Sequence, residues 1–272
     1  MTETAHPDLS GTEGAPAAAG SPAWDGAAEV EAARPSARDL GLRWWRELLY
    51  VLAFYGVYSV IRNQFGSAAV SDVTALRHAR DVIRIERDLA IFREQTIQGW
   101  FLGWKAFIQF WNLFYGTFHF VVTAFALIWL FVKFPERYVR WRTTLAVTTA
   151  LALIGFATFP LLPPRLLPPS YGFVDTLQAY HGLWSFDSGA MSKVSNQYAA
   201  MPSLHFAGST WSACVLVPTI KRRWLQGIVI LYPVLTLYAI VVTGNHYFLD
   251  AMGGALILGL GYLAGRWWSE RR

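Results

Sequence analysis

Residues 243–254 read TGNHYFLDAMGG. From Ser188 to Ser269 the chain avoids carboxylates with one exception, Asp250, four residues after His246. On a helix an i, i+4 pair shares one face. The carboxylate can then accept a hydrogen bond from one imidazole nitrogen, which fixes the tautomer and leaves the other nitrogen to act as nucleophile or base. The bland alternative is a structural pair that ties two helices together. Ionisable groups inside apolar spans cost about 2.5–3.5 kcal/mol on insertion scales, and they usually face a bundle interior or a cavity.

Two further stretches carry chemistry of the same kind. In AAMPSLHFAGS (199–209), Pro202 suits a helical first turn, where its missing N–H is no loss. Ser203 and His205 then lie beside unsatisfied backbone amides, an arrangement that attracts phosphate. Its bland alternative is a capped helix start with an incidental histidine. In PPRLLPP, the prolines stiffen the loop around Arg165, whose guanidinium is a forked, permanent cation for phosphate oxygens. Taken alone, Arg165 reads more simply as a side chain snorkelling to headgroups. Together, two histidines, an aspartate, a serine, an arginine and a helix N-terminus suit phosphoryl transfer without a metal or other cofactor. Asn245 and Tyr247 are adjacent candidates for headgroup contact. His119 either reaches this site or hydrogen-bonds a neighbouring helix, and the second is the simpler expectation. His181 and Asp187, in a long loop, read as solvated.

The elements that must position these residues are membrane helices. Charged residues make up 15% of the 272 and hydrophobic ones 54%, whereas soluble domains carry roughly 25% charge. Apolar runs long enough to span occur at 46–63, 105–132, 141–161, 203–220, 225–242 and 247–267. The expected fold is therefore all-α, a polytopic membrane protein with six transmembrane helices. Its catalytic domain runs over 43–272, behind an acidic tail, 1–42, whose Ala/Gly/Pro/Ser richness predicts disorder. Basic clusters precede the first span, join the second to the third and the fourth to the fifth, and end the chain. The positive-inside rule makes both termini cytoplasmic, in a plasma membrane, with the three polar stretches at the outer face. The long loop 161–200 suits an active-site cover.

One segment resists this layout. Residues 62–98 hold six arginines and five acids, yet fall on the outer side. An amphipathic helix on the membrane surface accounts for Leu76, Ala79, Ile83 and Phe92; a solvated loop does so equally. Cys214 is the only cysteine, so no intrachain disulfide is expected. Glycines of the last span, among them Gly253, Gly254, Gly259, Gly261 and Gly265, permit close helix packing. Nothing in the basic pattern supports nucleic acid as a partner, and oligomeric state is not indicated.

MPSLH, followed some forty residues later by His-x-x-x-Asp, resembles the type 2 phosphatidic-acid phosphatase superfamily. The usual signature there is Lys-x6-Arg-Pro, Pro-Ser-Gly-His and Ser-Arg-x5-His-x3-Asp. Pro202, Ser203 and His205 match the second motif, with Leu204 in place of glycine, and His246 and Asp250 match the third. Thr158 and Leu166 replace the lysine and proline around Arg165, and Ala239 and Ile240 replace the Ser-Arg. The Pro-Pro-Arg, Pro-Ser-Leu-His and Asn-His-Tyr combination is more similar to the inositol-phosphoceramide synthase branch, which transfers a phospho-headgroup between lipids. The resemblance implies that His246 attacks phosphorus to form a phosphohistidine while Asp250 orients it. It further implies that His205 protonates the leaving oxygen, and that Arg165 and Ser203 hold phosphoryl oxygens. The implied substrate is a membrane lipid phosphate or phosphodiester. Two other readings use the same histidines: a metal-dependent membrane hydrolase, and a non-enzymatic haem-binding or transport protein.

Overall fold

The computed structural model of the chain describes residues 36–65, 71–180 and 198–271, together with residue 2. Most of the tail expected to be disordered, 1–42, lies outside the described residues, as do His181 and Asp187. Among the described residues every helix and strand assignment is helical. The α-helices are α1 (Trp44–Phe65), α2 (Asp72–Asp88), α3 (Glu94–Phe101), α4 (Lys105–Lys133), α5 (Pro135–Thr158), a single turn α6 (Thr176–Ala179), α7 (Leu204–Leu216), α8 (Arg223–Val242) and α9 (Phe248–Glu270).

Three of these, α4, α8 and α9, are long and apolar enough to cross a membrane. Their outer faces expose Phe120, Val121, Phe125 and Ile128 of α4, Ile228, Ile230 and Leu231 of α8, and Met252, Leu256 and Leu263 of α9. Faces so continuously apolar belong in hydrocarbon rather than water. The other expected spans are also helical. However, α7 has 13 residues, which at 1.5 Å per residue is about 20 Å, short of a ~30 Å hydrocarbon core. The first turns of α5 carry Glu136, Arg137, Arg140 and Arg142.

Contacts between helix ends put the basic clusters together. Phe134 alone separates α4 from α5; its amide closes α4 on Leu130 O at 2.8 Å, and Pro135 opens α5 where its lacking N–H is harmless. Near that end, Trp129 Nε1 donates to Thr219 Oγ1 (3.1 Å) in the 3-10 turn linking α7 towards α8. Arg142 Nη1 donates to Glu47 Oε1 of α1 at 2.5 Å, and Tyr138 Oη to Glu47 Oε2 at 3.2 Å. The C-terminal part of α9 meets the same end of α5. A Cβ at Gly265 would collide with Arg140 O and Thr144, and one at Gly261 with Thr148, which is the close approach small residues permit. The opposite end of the bundle carries the loop after α5, the start of α7 and the α8–α9 link.

The segment 62–98 contains an amphipathic helix, α2. Ser71 caps it by accepting from Thr74 N, and Ala75, Ala79, Val82, Ile83 and Glu86 are buried along one face at helical spacing. That face packs on protein: Leu161, Leu162, Leu167, Phe173, Ala200 and Tyr247 join it in one core. The described part of the 161–200 loop is fastened down. Gln98 of α3 pairs with both backbone groups of Val174, and Asn112 of α4 with Thr176. Thr176 Oγ1 in turn donates to Thr243 O at 2.8 Å.

Candidate active site

The α8–α9 link builds the first half of the site. After α8, Gly244 turns the chain at φ +69°, and the amides of Asn245 and His246 both donate back to Ile240 O. His246 therefore precedes the helix rather than riding on it. Tyr247 is the N-cap of α9 and Asp250 its third residue. Asp250 Oδ2 accepts from Tyr247 N at 2.9 Å and lies 3.2 Å from His246 Nδ1. The pair expected on one helical face is formed, but by a capping carboxylate reaching back over the helix start. His246 is 3% exposed, and its Nε2 is buried with no protein partner among the described residues.

The second half is the start of α7. Ser203 is the N-cap; its Oγ accepts from Phe206 N (3.4 Å) and its amide donates to Asp250 O (2.8 Å). That last bond joins the two helix starts directly. A Cβ at Gly254 would collide with Ser203 O, so the junction requires glycine there. Leu204 and His205 are the first helical residues of α7. Their amides have no intrahelical acceptor and make no loop hydrogen bond among the described residues. The His205 ring lies 5.6 Å from that of His246, centroid to centroid.

Arg165, in the 3-10 turn Pro164–Leu166, comes from the loop after α5. Its amide donates to Gly244 O at 2.8 Å, its Nε to Asn245 Oδ1 at 3.0 Å, and its Nη1 to Asp175 Oδ2 at 2.8 Å. The guanidinium is thus aimed by two partners. Its Nη2 makes no hydrogen bond among the described residues.

The two residues expected to contact a headgroup, Tyr247 and Asn245, both have partners inside the protein. Tyr247 is fully buried, with its hydroxyl donating to Leu162 O at 3.0 Å. Asn245 is 4% exposed; its Oδ1 holds Arg165 and its Nδ2 donates to Thr243 Oγ1 at 2.8 Å. Both support the site from within the protein. His119 also departs from the simpler expectation. Among the described residues its Nδ1 is buried without a hydrogen-bond partner, and its ring packs 4.8 Å from that of His205. Tyr115, one turn earlier on α4, stacks on His205 at 4.1 Å and meets His246 at 6.2 Å. Its i, i+4 relation to His119 was a usable signal; the partnership of Asp175 with Arg165 had none beyond proximity. Among the described residues no group of three or more His, Cys, Asp or Glu side chains is placed to hold a metal ion.

A buried histidine oriented by an aspartate, a second histidine beside it, and an arginine and open helix amides nearby form one constellation. The family model of the PAP2 superfamily matches residues 80–264, more than half of the chain and all of these positions. The chain belongs to the PAP2 superfamily. No curated protein and no solved structure matches it. Membership makes this PAP2 protein a phosphatase-type lipid phosphoesterase, acting on lipid phosphate substrates. Its apolar helices are those of an integral membrane protein. The match begins midway along α2, so the second half of α2 and all of α3 lie within the family region and α1 precedes it.

Proposed function

We propose that this PAP2 protein cleaves a lipid phosphoester through a phosphohistidine on His246, at the outer face of a six-helix membrane domain. The observation that carries this reading is the state of the His246 ring: Nδ1 faces Asp250, while Nε2, beside His205, is buried without a protein partner among the described residues. With Nδ1–H donated to Asp250, Nε2 presents a lone pair. It attacks phosphorus, forming an N–P bond as the P–O bond to the leaving group breaks, and His205 protonates the departing oxygen. In the second step His205 takes a proton from the incoming hydroxyl, whose oxygen displaces His246 from phosphorus. Arg165 Nη2, with the Leu204 and His205 amides at the N-terminus of α7, stabilises the phosphoryl oxygens.

The sidedness follows from the shared end of the basic clusters. Placing that end in the cytoplasm obeys the positive-inside rule and puts the site at the outer face. Crossing by α1, α5 and α7 completes six spans, α7 being extended by its 3-10 turn and shielded by the helices around it. The incoming hydroxyl is that of water or of an acceptor lipid. The Pro-Pro-Arg, Pro-Ser-Leu-His and Asn-His-Tyr segments favour a lipid acceptor, with transfer of a phospho-headgroup such as inositol phosphate. The test is a lipid screen with wild-type protein and His246→Ala, scoring released phosphate separately from new phospholipid. Turnover lost in the variant, with an acid-labile phosphoprotein trapped only in the wild type, supports the reading. Equal turnover by both proteins overturns it.

A further inference from the structure

The first turn of α9 has a second set of partners. Tyr247 N donates to Asp250 Oδ2, Phe248 N to Glu94 Oε1 at 3.0 Å, and Leu249 N to Glu86 Oε1 at 2.7 Å. Three consecutive amides of the link that carries His246 thus end on three different carboxyl groups. Glu86 and Glu94 are both fully buried, and the second oxygen of each is buried without a hydrogen-bond donor among the described residues. Neither forms an ion pair with a lysine or arginine there.

The chain accepts backbone strain to bring these two acids together. Between α2 and α3, Ala90 adopts φ +57°, a left-handed conformation that usually falls to glycine. The Ile91 amide returns to Glu86 O at 2.8 Å and the Ala90 amide to Arg87 O at 3.0 Å, closing α2 in a Schellman turn. The reversed chain then presents Glu94, at the start of α3, to the same helix end as Glu86.

We propose that Glu86 and Glu94 act as positioning residues for the His246–Asp250 pair, one as a carboxylic acid and one as a carboxylate, clamping α2 and α3 onto the first turn of α9. Two buried carboxylates without a cation repel each other and lose hydration, so the pair keeps one proton. Burial, then the neighbouring Glu94, push Glu86 up to about 9. Among the described residues, the other ionisable groups facing the pair are Asp250 and Tyr247 on α9, with Tyr171 beyond Tyr247. The clamp also occupies the anion-attracting end of α9. A substrate phosphoryl group is left the open amides of α7, on the His205 side.

The functional arms of the test rest on the phosphohistidine reading; its spectroscopic arm does not. Glutamine retains the oxygen that accepts the α9 amide and supplies an N–H for the neighbouring carboxylate. Glu86→Gln therefore keeps most of the activity that Glu86→Ala loses, and the alanine variant falls about tenfold in kcat with little change in KM. Wild-type activity declines as pH rises through about 9, where the pair loses its proton; in Glu86→Gln that decline is absent. In infrared difference spectra of the two resting proteins at neutral pH, a carboxylic-acid carbonyl band present in the wild type disappears in Glu86→Gln. Loss of turnover in His246→Ala is the control for the catalytic reading, and the infrared band decides the pair whichever way that control falls. The proposal is overturned by unchanged kcat in Glu86→Ala, by superimposable alkaline limbs in wild type and Glu86→Gln, or by absence of the Glu86-dependent band.

Discussion

Asp250 Oδ2 serves two neighbours at once, the Tyr247 amide at 2.9 Å and His246 Nδ1 at 3.2 Å. The same oxygen therefore starts the helix and sets the imidazole tautomer. Asp250→Asn keeps the size and one oxygen, but that oxygen can no longer offer a full negative charge to the His246 N–H. The expected result is a fall in kcat of about 10²–10⁴-fold, the range typical of a lost orienting or acid–base partner. The folded population should change much less, because an asparagine oxygen still caps the turn. Steady-state kinetics beside a thermal-unfolding curve in detergent checks both halves.

Arg165 is held by Asn245 and Asp175, and on the proposed reading its remaining guanidinium nitrogen, Nη2, meets a phosphoryl oxygen. Arg165→Lys replaces a planar fork with a point charge that cannot satisfy Asn245, Asp175 and a phosphoryl oxygen together. It should lower kcat/KM by about 10–100-fold, as expected for a lost charge-assisted hydrogen bond. Asp175→Asn keeps the guanidinium but loosens its aim, so it should lower kcat/KM by less than Arg165→Lys does. Measuring the two variants side by side on one lipid phosphate separates charge from orientation.

How far the site could be read without coordinates depended on sequence distance. His246 and Asp250 are four residues apart, close enough for the pairing to be legible, although a capping carboxylate makes it and not a shared helical face; Ser203, expected in the first turn of its helix, is the N-cap, and Pro202 lies just outside. The tie from Arg165 to Asn245 crosses eighty residues, and nothing local marks Asn245 as its support rather than as a headgroup contact. Glu86 and Glu94 were least legible. Acids in an arginine-rich stretch read as solvated charge balance, and only the folding of α2 onto α9 shows that these two lie inside. The all-helical character followed from the long apolar runs; the short α7 did not, since its length is set by Ser203 at one end and the Val217–Thr219 turn at the other.

Tyr115 stacks on His205 at 4.1 Å between ring centroids, and His119 packs beside the same ring at 4.8 Å. On the proposed mechanism His205 exchanges a proton with two different oxygens, and these two rings would restrain its imidazole. Tyr115→Ala removes the stacking surface, worth about 0.5–1.5 kcal/mol for an aromatic pair, and should lower kcat several-fold to tenfold with little effect on KM. Tyr115→Phe keeps the ring and should recover most of that loss. A kinetic comparison of the three proteins is decisive: equal kcat in all of them would show that stacking does not restrain His205.

The last prediction concerns the junction between α7 and α9. A Cβ at Gly254 would run into Ser203 O, whereas one at Gly259, also on α9, meets nothing within 4 Å. Gly254→Ala must push apart the two helix starts that share the Ser203 N to Asp250 O bond. Overpacking of this kind costs about 1–3 kcal/mol, and here it also separates His205 from His246. Gly254→Ala should therefore lower the unfolding temperature and reduce kcat by more than tenfold. Gly259→Ala, with open space around it and a better helix former in place, should hold or slightly raise stability and leave turnover intact. Equal behaviour of the two variants would mean that the close approach of α7 to α9 is not what sets the spacing of the histidines.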